Sequence, residues 1–233
     1  MSARPTVLVT GASGAIGGAV CRALAGTHDV LAGGRDPGRL ADLATVPGIT
    51  AWPVDLTDPA DLERAAADLP PLDAVVHSAG AYPRGAVPTM GPEEWRESFQ
   101  LNVFAPVRIT QLALPGLRER GGTVVFVNSG AGLFAYPTGS LYSATKYALK
   151  AFADTLRLEE EPHGLRVTSV YPGRTDSALL EASVEQHEGG HYDPALLLRP
   201  DEVAAVIRDA IVLRNGASVD DIRIRPTGRD PVR

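Results

Sequence analysis

A single cysteine, Cys21, stands in 233 residues, so no internal disulfide can form, and its place in a helical stretch makes it a small core residue. No apolar run approaches the ~18 residues of a membrane-spanning helix. The segment ahead of the first strand, residues 1–5, is too short for a secretion signal. A cytoplasmic chain without a membrane partner is the expectation. Cationic excess is also missing: 22 Lys and Arg face 28 Asp and Glu, a net charge of −6. The arginines near the C-terminus, Arg223, Arg225, Arg229 and Arg233, are interleaved with apolar and turn residues, so no nucleic-acid partner is expected. One cysteine and five scattered histidines give no metal-ligand spacing, and there is no internal repeat or low-complexity tract.

What is present is a regular alternation. Strand-like apolar runs at 6–10, 30–33, 50–54, 73–77, 124–127, 165–171 and 221–225 are separated by helical patterns at 19–25, 37–43, 59–67, 93–114, 140–160 and 201–213. Short connections between alternating β and α elements predict one domain over 1–233. Its core is a seven-stranded, mostly parallel, doubly wound sheet with helices on both faces. Residues 178–198 carry no strong strand pattern, hold Gly189 and Gly190, and are expected to form a mobile substrate lid.

Two stretches carry chemistry. The first strand runs into Gly11-Ala12-Ser13-Gly14-Ala15-Ile16-Gly17-Gly18 and then a helix. Glycines let backbone approach a pyrophosphate, and the free N–H groups of a helix start attract its charge. No Gly-Lys-Ser/Thr follows, which excludes a Walker loop. The second stretch joins the 124–127 strand to the 140–160 helix. Tyr142 and Lys146, four residues apart, share a helix face, where the ammonium is expected to lower the tyrosine pKa from about 10. Ser129 lies thirteen positions before Tyr142, where a folded-back loop sets two O–H groups on one substrate oxygen.

Ser-x12-Tyr-x3-Lys resembles the short-chain dehydrogenase/reductase family, and the glycine turn is similar to that family's Thr-Gly-x3-(Ala/Gly)-x-Gly, here Thr10, Gly11, Ala15, Ile16 and Gly17. The resemblance covers about residues 6–177 and implies a Rossmann-like fold binding a nicotinamide cofactor through the turn, Ser13 included. It further implies that Asp55 and its neighbour Leu56 lie against the adenine. His77-Ser78-Ala79-Gly80 corresponds to the family's Asn-Asn-Ala-Gly, with Ser78, Ala79 and Gly80 expected at the cofactor. Pro172 and Gly173 would close over the nicotinamide, with Thr175 or Ser177 bonding its amide. Asn102 takes the place of the family's asparagine, where a water links the active-site lysine to solvent. The second strand's end reads the adenosine ribose. Gly34 in the acidic position followed by Arg35 is the pattern of NADP-using members, so NADP(H) is expected; Asp36, one residue on, keeps NAD(H) as the alternative.

The implied activity is reduction of a ketone or aldehyde by hydride transfer, with Asn102, Ser129, Tyr142 and Lys146 as the catalytic set, Tyr142 giving the proton and Lys146 holding the ribose. An NAD-dependent alcohol dehydrogenase and a non-catalytic NADP(H)-binding redox sensor are the rivals. Tyr82, Leu133, Phe134, Tyr136, Leu179 and Leu180 predict a mainly apolar or aromatic carbonyl substrate or alcohol product. Arg174 reads as an exposed loop arginine. Family members pair through the helices holding Asn102 and Tyr142, so a homodimer or homotetramer is expected.

Overall fold

A computed structural model describes residues 4–187, 189, 192–213 and 216–227. Gly190 of the expected lid and two of the C-terminal arginines, Arg229 and Arg233, lie outside the described residues.

The seven strands are β1 (Thr6–Thr10), β2 (Asp29–Gly34), β3 (Ile49–Pro53), β4 (Ala74–His77), β5 (Thr123–Val127), β6 (Arg166–Pro172) and β7 (Asp221–Ile224). They form one sheet in the order β3-β2-β1-β4-β5-β6-β7, every pairing parallel. Period-2 alternation sends Val7 and Val9 to one face and Leu8 to the other. On the first face lie α1 (Ala15–Leu24), α2 (Pro37–Ala44) and α8 (Pro200–Val212), packed through Val20, Leu24, Leu40 and Ile207. The second face holds α3 (Pro59–Ala66), α5 (Ala105–Arg120) and α6 (Ser140–Glu160), packed through Leu62, Ile109, Leu117, Leu149 and Leu156. Because the inner strands are covered on both sides, they read as continuous apolar runs.

Proline punctuates the helix starts. Pro37, Pro59, Pro92 and Pro200 each open a helix, where the missing N–H has no intrahelical partner to lose. Asp36 and Asp58 cap two of these, accepting from Arg39 N at 3.0 Å and Ala60 N at 2.9 Å.

The helix expected over 93–114 is not one α-helix. It divides into α4 (Pro92–Phe99), a π-helical turn at Gln100–Phe104 and α5, which runs on to Arg120. Pro115 is accommodated inside α5. The π turn lets Asn102 leave the helical ladder's surface and become buried.

The C-terminal end of α6 is fastened to α5 by a two-pronged pair: Arg118 Nε donates to Glu160 Oε2 at 2.8 Å and Nη2 to Oε1 at 2.7 Å. The Glu160 side chain is 3% exposed and that of Arg118 44%. Arg118 holds the Glu160 carboxyl below its ordinary pKa. A depressed folded-state pKa contributes stability that is present above the unfolded value of about 4.3 and is lost as pH falls through the folded one. Glu160→Gln is therefore expected to be less stable than the parent at neutral pH, with the gap closing in acid. Urea midpoints of both proteins across that range check this, and a gap independent of pH would reject it.

Candidate active site

After β3 the chain returns to lie on the other side of β1 as β4, so a crevice opens beyond the carboxyl ends of β1 and β4, where doubly wound sheets bind ligands. Thr10, the last residue of β1, ties the two edges: its Oγ1 accepts from Ser78 N at 3.1 Å and Ala79 N at 3.2 Å. The glycine turn follows at once. Gly11 has φ +67°, and a Cβ there would lie 2.6 Å from Ala79 N; a Cβ on Gly17 would lie 2.3 Å from Gly11 O. Only glycine fits either place, and the first turn of α1, Ala15 to Gly17, borders the crevice.

This crevice is a pocket of 320 Å³. Gly11, Ser13, Ala15, Ile16 and Gly17 form one wall, and Ser78, Ala79 and Gly80 another. Gly34, Arg35 and Arg39 line its far end. Arg39, which the sequence reading passed over, donates to Ser13 O at 3.1 Å, bending across the turn. Asp36 does not line the pocket; it caps α2 and pairs with Arg39 at 3.4 Å. Val54 and Leu56 provide apolar wall, whereas Asp55 between them bonds Thr57 N at 2.9 Å and Thr57 Oγ1 at 2.7 Å, with Arg35 at 3.9 Å. The close backbone at Gly11 and Gly17, the helix start and the two arginines suit a phosphate-bearing dinucleotide.

A second pocket of 280 Å³ shares Ile16, Ser177 and Leu179 with the first. Ser129 and Tyr142 line it, as do Pro172, Gly173, Thr175 and Ser177. Of the residues expected to form its apolar wall, Tyr82, Phe134, Tyr136, Leu179 and Leu180 do, and Leu133 does not. Arg174, expected in an exposed loop, is half-buried and lines the pocket, as does Arg84. Thr175 Oγ1 donates to Gly173 O at 3.1 Å and Ser177 Oγ to Thr175 O at 3.2 Å, so both hydroxyls brace the loop after β6.

Ser129 and Tyr142 line this pocket together, and hydrogen bonding from Ser129 acts to pull the phenol's pKa down. Lys146 is buried, donates to Val127 O at 3.0 Å and stands 5.7 Å from the Tyr142 ring centroid. The expected lowering of the tyrosine pKa is not found in the protein alone. Burial outweighs the Ser129 bond, and the adjacent Tyr82 adds to it, pushing the phenol up to about 12. The Tyr82 ring meets that of Tyr142 edge-on, with centroids 4.6 Å apart. Burial also lowers Lys146 to about 8, leaving it mostly charged at neutral pH.

Asn102 Oδ1 accepts from Ala81 N at 2.9 Å, while Nδ2 donates to Ala81 O and Thr145 Oγ1, each at 3.0 Å. Thr145 in turn donates to Tyr142 O at 2.8 Å, so the π turn is clamped to the helix at the tyrosine. A Cβ on Gly80 would lie 3.2 Å from Asn102 Oδ1 and 3.9 Å from Lys146 Nζ, which brings both groups to one glycine. Asn128, also unforeseen, accepts from Ser129 N at 2.9 Å and donates to Lys146 O at 3.2 Å, locking the strand end to the helix. His77 stays a structural residue: it is stacked on Phe126, bonded to Thr110 Oγ1 at 3.0 Å, and held neutral by burial.

Comparison with known proteins bears on the fold that carries this site. The family model for short chain dehydrogenases matches residues 5–188. The chain belongs to the short-chain dehydrogenase/reductase family. An uncharacterised short-chain type dehydrogenase/reductase of Sinorhizobium fredii is 30% identical over 98% of this chain and 94% of its own. The closed form of a serine dehydrogenase complexed with NADP+ superposes with a TM-score of 0.85 at 25% identity, covering 98% of this chain and 99% of that one. An alcohol dehydrogenase of Thermococcus sibiricus complexed with 5-hydroxy-NADP shares the fold, with a TM-score of 0.87 at 24% identity over 98% and 99% of the two chains. This short-chain dehydrogenase/reductase is an oxidoreductase acting on CH–OH or carbonyl groups with a nicotinamide cofactor. Among its described residues no helix is long and apolar enough to cross a membrane.

Proposed function

We propose that this enzyme reduces a ketone or aldehyde with NADPH, Tyr142 giving the proton. The observation that carries the reading is the pair of joined pockets: one is lined by Arg35 and Arg39, and the other by both Ser129 and Tyr142. The nicotinamide, when bound, supplies the hydride. Ser129 and Tyr142 offer two O–H groups to a carbonyl oxygen, orienting it and stabilising the charge that develops there. A phenol held above its ordinary pKa is protonated at neutral pH, the starting state a proton donor needs. As the proton leaves, the Lys146 ammonium steadies the phenolate. Asn102, through Thr145, fixes the turn of α6 that carries Tyr142, and Asn128 fixes the strand end that carries Ser129.

The preference for NADPH rests on where the charges fall. Two guanidiniums line the ribose end of the cradle, while Asp36 is spent on the cap of α2 and Asp55 on Thr57. Titrating the protein with NADPH and NADH by nicotinamide fluorescence is expected to show NADPH bound about tenfold or more tightly, 1.4 kcal/mol or above. Replacing Arg35 and Arg39 together with leucine should remove that preference and leave NADH affinity nearly unchanged. Tighter binding of NADH by the parent would instead favour an NAD-dependent alcohol dehydrogenase, and cofactor binding without reduction of any carbonyl compound in a broad panel would favour a redox sensor.

The same domain would serve both pockets, with α7 (Ala178–His187) as lid over the substrate. A homodimer or homotetramer through α5 and α6 is supported by exposed Phe104 of the π turn that leads into α5 and by exposed Tyr147, Ala151 and Leu158 of α6. Light scattering of the purified protein tests it.

A further inference from the structure

We propose that Tyr192 and Asp176, which line neither pocket, are positioning residues for the cofactor: together they hold Ser177 at the junction of the two pockets. Only cofactor binding is required for this, whichever compound is reduced and whichever cofactor is preferred.

Ser177 lines both pockets and immediately precedes α7. Its hydroxyl is used within its own turn, donating to Thr175 O at 3.2 Å and accepting from Leu180 N at 3.2 Å. Its carbonyl accepts from Glu181 N at 3.0 Å. All of these partners lie in the stretch 175–181, so the bonds shape the turn without aiming it at the pockets.

The chain is anchored just before that turn. Asp176 N donates to Leu198 O at 2.8 Å and Leu198 N donates to Arg174 O at 3.0 Å, while the Leu198 side chain is buried in the core on the α1 and α8 side of the sheet. This fixes the backbone as far as Asp176. The direction it then takes depends on the next peptide, and there the partner is a side chain from beyond α7. Tyr192 Oη accepts from Ser177 N at 3.0 Å and donates to Asp176 Oδ1 at 2.6 Å. A hydroxyl that bonds the side chain of one residue and the N–H of the next holds the peptide between them, and its bond to a carboxylate is of the strong, charge-assisted kind. Burial and Asp176 push the phenol up to about 12, so it remains a donor across the neutral range.

What this grip serves follows from the sheet order. Arg35 follows β2 and Ser177 follows β6, with β1, β4 and β5 between them. A whole dinucleotide laid along the cradle from Arg35 comes to Ser177, whereas its adenosine half stops short. Loosening Ser177 is therefore felt by the whole cofactor and not by that half.

The test compares binding of the reduced dinucleotide that the protein holds more tightly with binding of the matching half, ADP for NADH or adenosine 2′,5′-bisphosphate for NADPH, both by calorimetry. Tyr192→Phe is expected to weaken the dinucleotide about tenfold, the worth of one hydrogen bond to a charged group, and to change the half by less than about twofold. Asp176→Ala should lose most of the same affinity, and the double variant no more than Tyr192→Phe alone, because the two substitutions break one bond. Asp176→Asn keeps an acceptor for the phenol and should restore most of the loss. A general loosening of the fold would weaken dinucleotide and half alike. That result, an unchanged dinucleotide affinity, losses that add in the double variant, or a parent that binds neither dinucleotide would overturn the proposal. Where the expected binding differences appear but no carbonyl compound is reduced, the reductase reading falls and the positioning pair stands.

Discussion

Tyr142→Phe is expected to lower the rate of carbonyl reduction by about 10²–10⁴, the range for removing one positioned acid. The substitution deletes a single oxygen. The ring that meets Tyr82 edge-on at 4.6 Å remains, and Thr145 still bonds the backbone carbonyl of residue 142, so the helix start and the adjoining cradle keep their shape. Cofactor affinity should therefore stay within about threefold, under 1 kcal/mol. Stopped-flow oxidation of reduced cofactor under single-turnover conditions separates the two quantities. A variant that keeps most of the parent's rate would end the proton-donor assignment.

The parent's pH profile follows from the same groups. The phenol, pushed up to about 12, is protonated across the neutral range and supplies reduction without a titration of its own there. Lys146, lowered to about 8 by burial, is charged below that value and neutral above it. Support for the departing proton is then lost as pH rises through about 8, and reduction should fall on that limb. Oxidation of the alcohol needs the phenolate and should rise with pH instead. Tyr142→Phe should flatten both limbs.

That proton chemistry marks what the sequence could and could not disclose. Tyr142 and Lys146 four residues apart on a helix are legible from spacing, and α6 begins and ends at the expected residues. The burial that raises the phenol is a property of three-dimensional closure, as is the approach of Tyr82 from sixty residues upstream. The inner strands were legible to within a residue or two because they are apolar runs covered on both faces. The π turn was not, since a one-residue slip in hydrogen bonding leaves the apolar period of 93–114 intact; the only sign was an asparagine in a helix interior. Asn128 and Thr145 were passed over for a different reason. They act on neighbours of the reacting groups, and a polar residue beside a candidate serine or between a tyrosine and a lysine has no signature until the helix is seen against the strand end. Arg39 belongs to the same class: its reach to Ser13 O depends on how the second strand turns into α2.

The glycine turn, by contrast, makes a prediction nearly as large as the tyrosine's. Gly17→Val is expected to weaken cofactor binding by about 10²-fold or more, roughly 2.7 kcal/mol. A Cβ on residue 17 would lie 2.3 Å from Gly11 O and 2.7 Å from Gly11 C, both backbone atoms that no rotamer change can move. Gly11 has nowhere to retreat, because its own left-handed turn already brings it against Ala79 and Ser78. The helix start must lift away from β1, and with it would lift the N–H groups proposed to hold the cofactor's phosphates. Strain of this kind in a packed site costs about 1–3 kcal/mol of stability, and in a chain of this size each kcal/mol lowers Tm by about 2–4 °C. Gly26→Ala supplies the comparison, since a Cβ there meets nothing within 4 Å. It should leave both Tm and cofactor affinity where they were. The two losses in Gly17→Val should appear together, read by thermal unfolding and by cofactor fluorescence titration. A fall in Tm with cofactor affinity intact would mean that the turn supports the core and that the phosphates are held elsewhere.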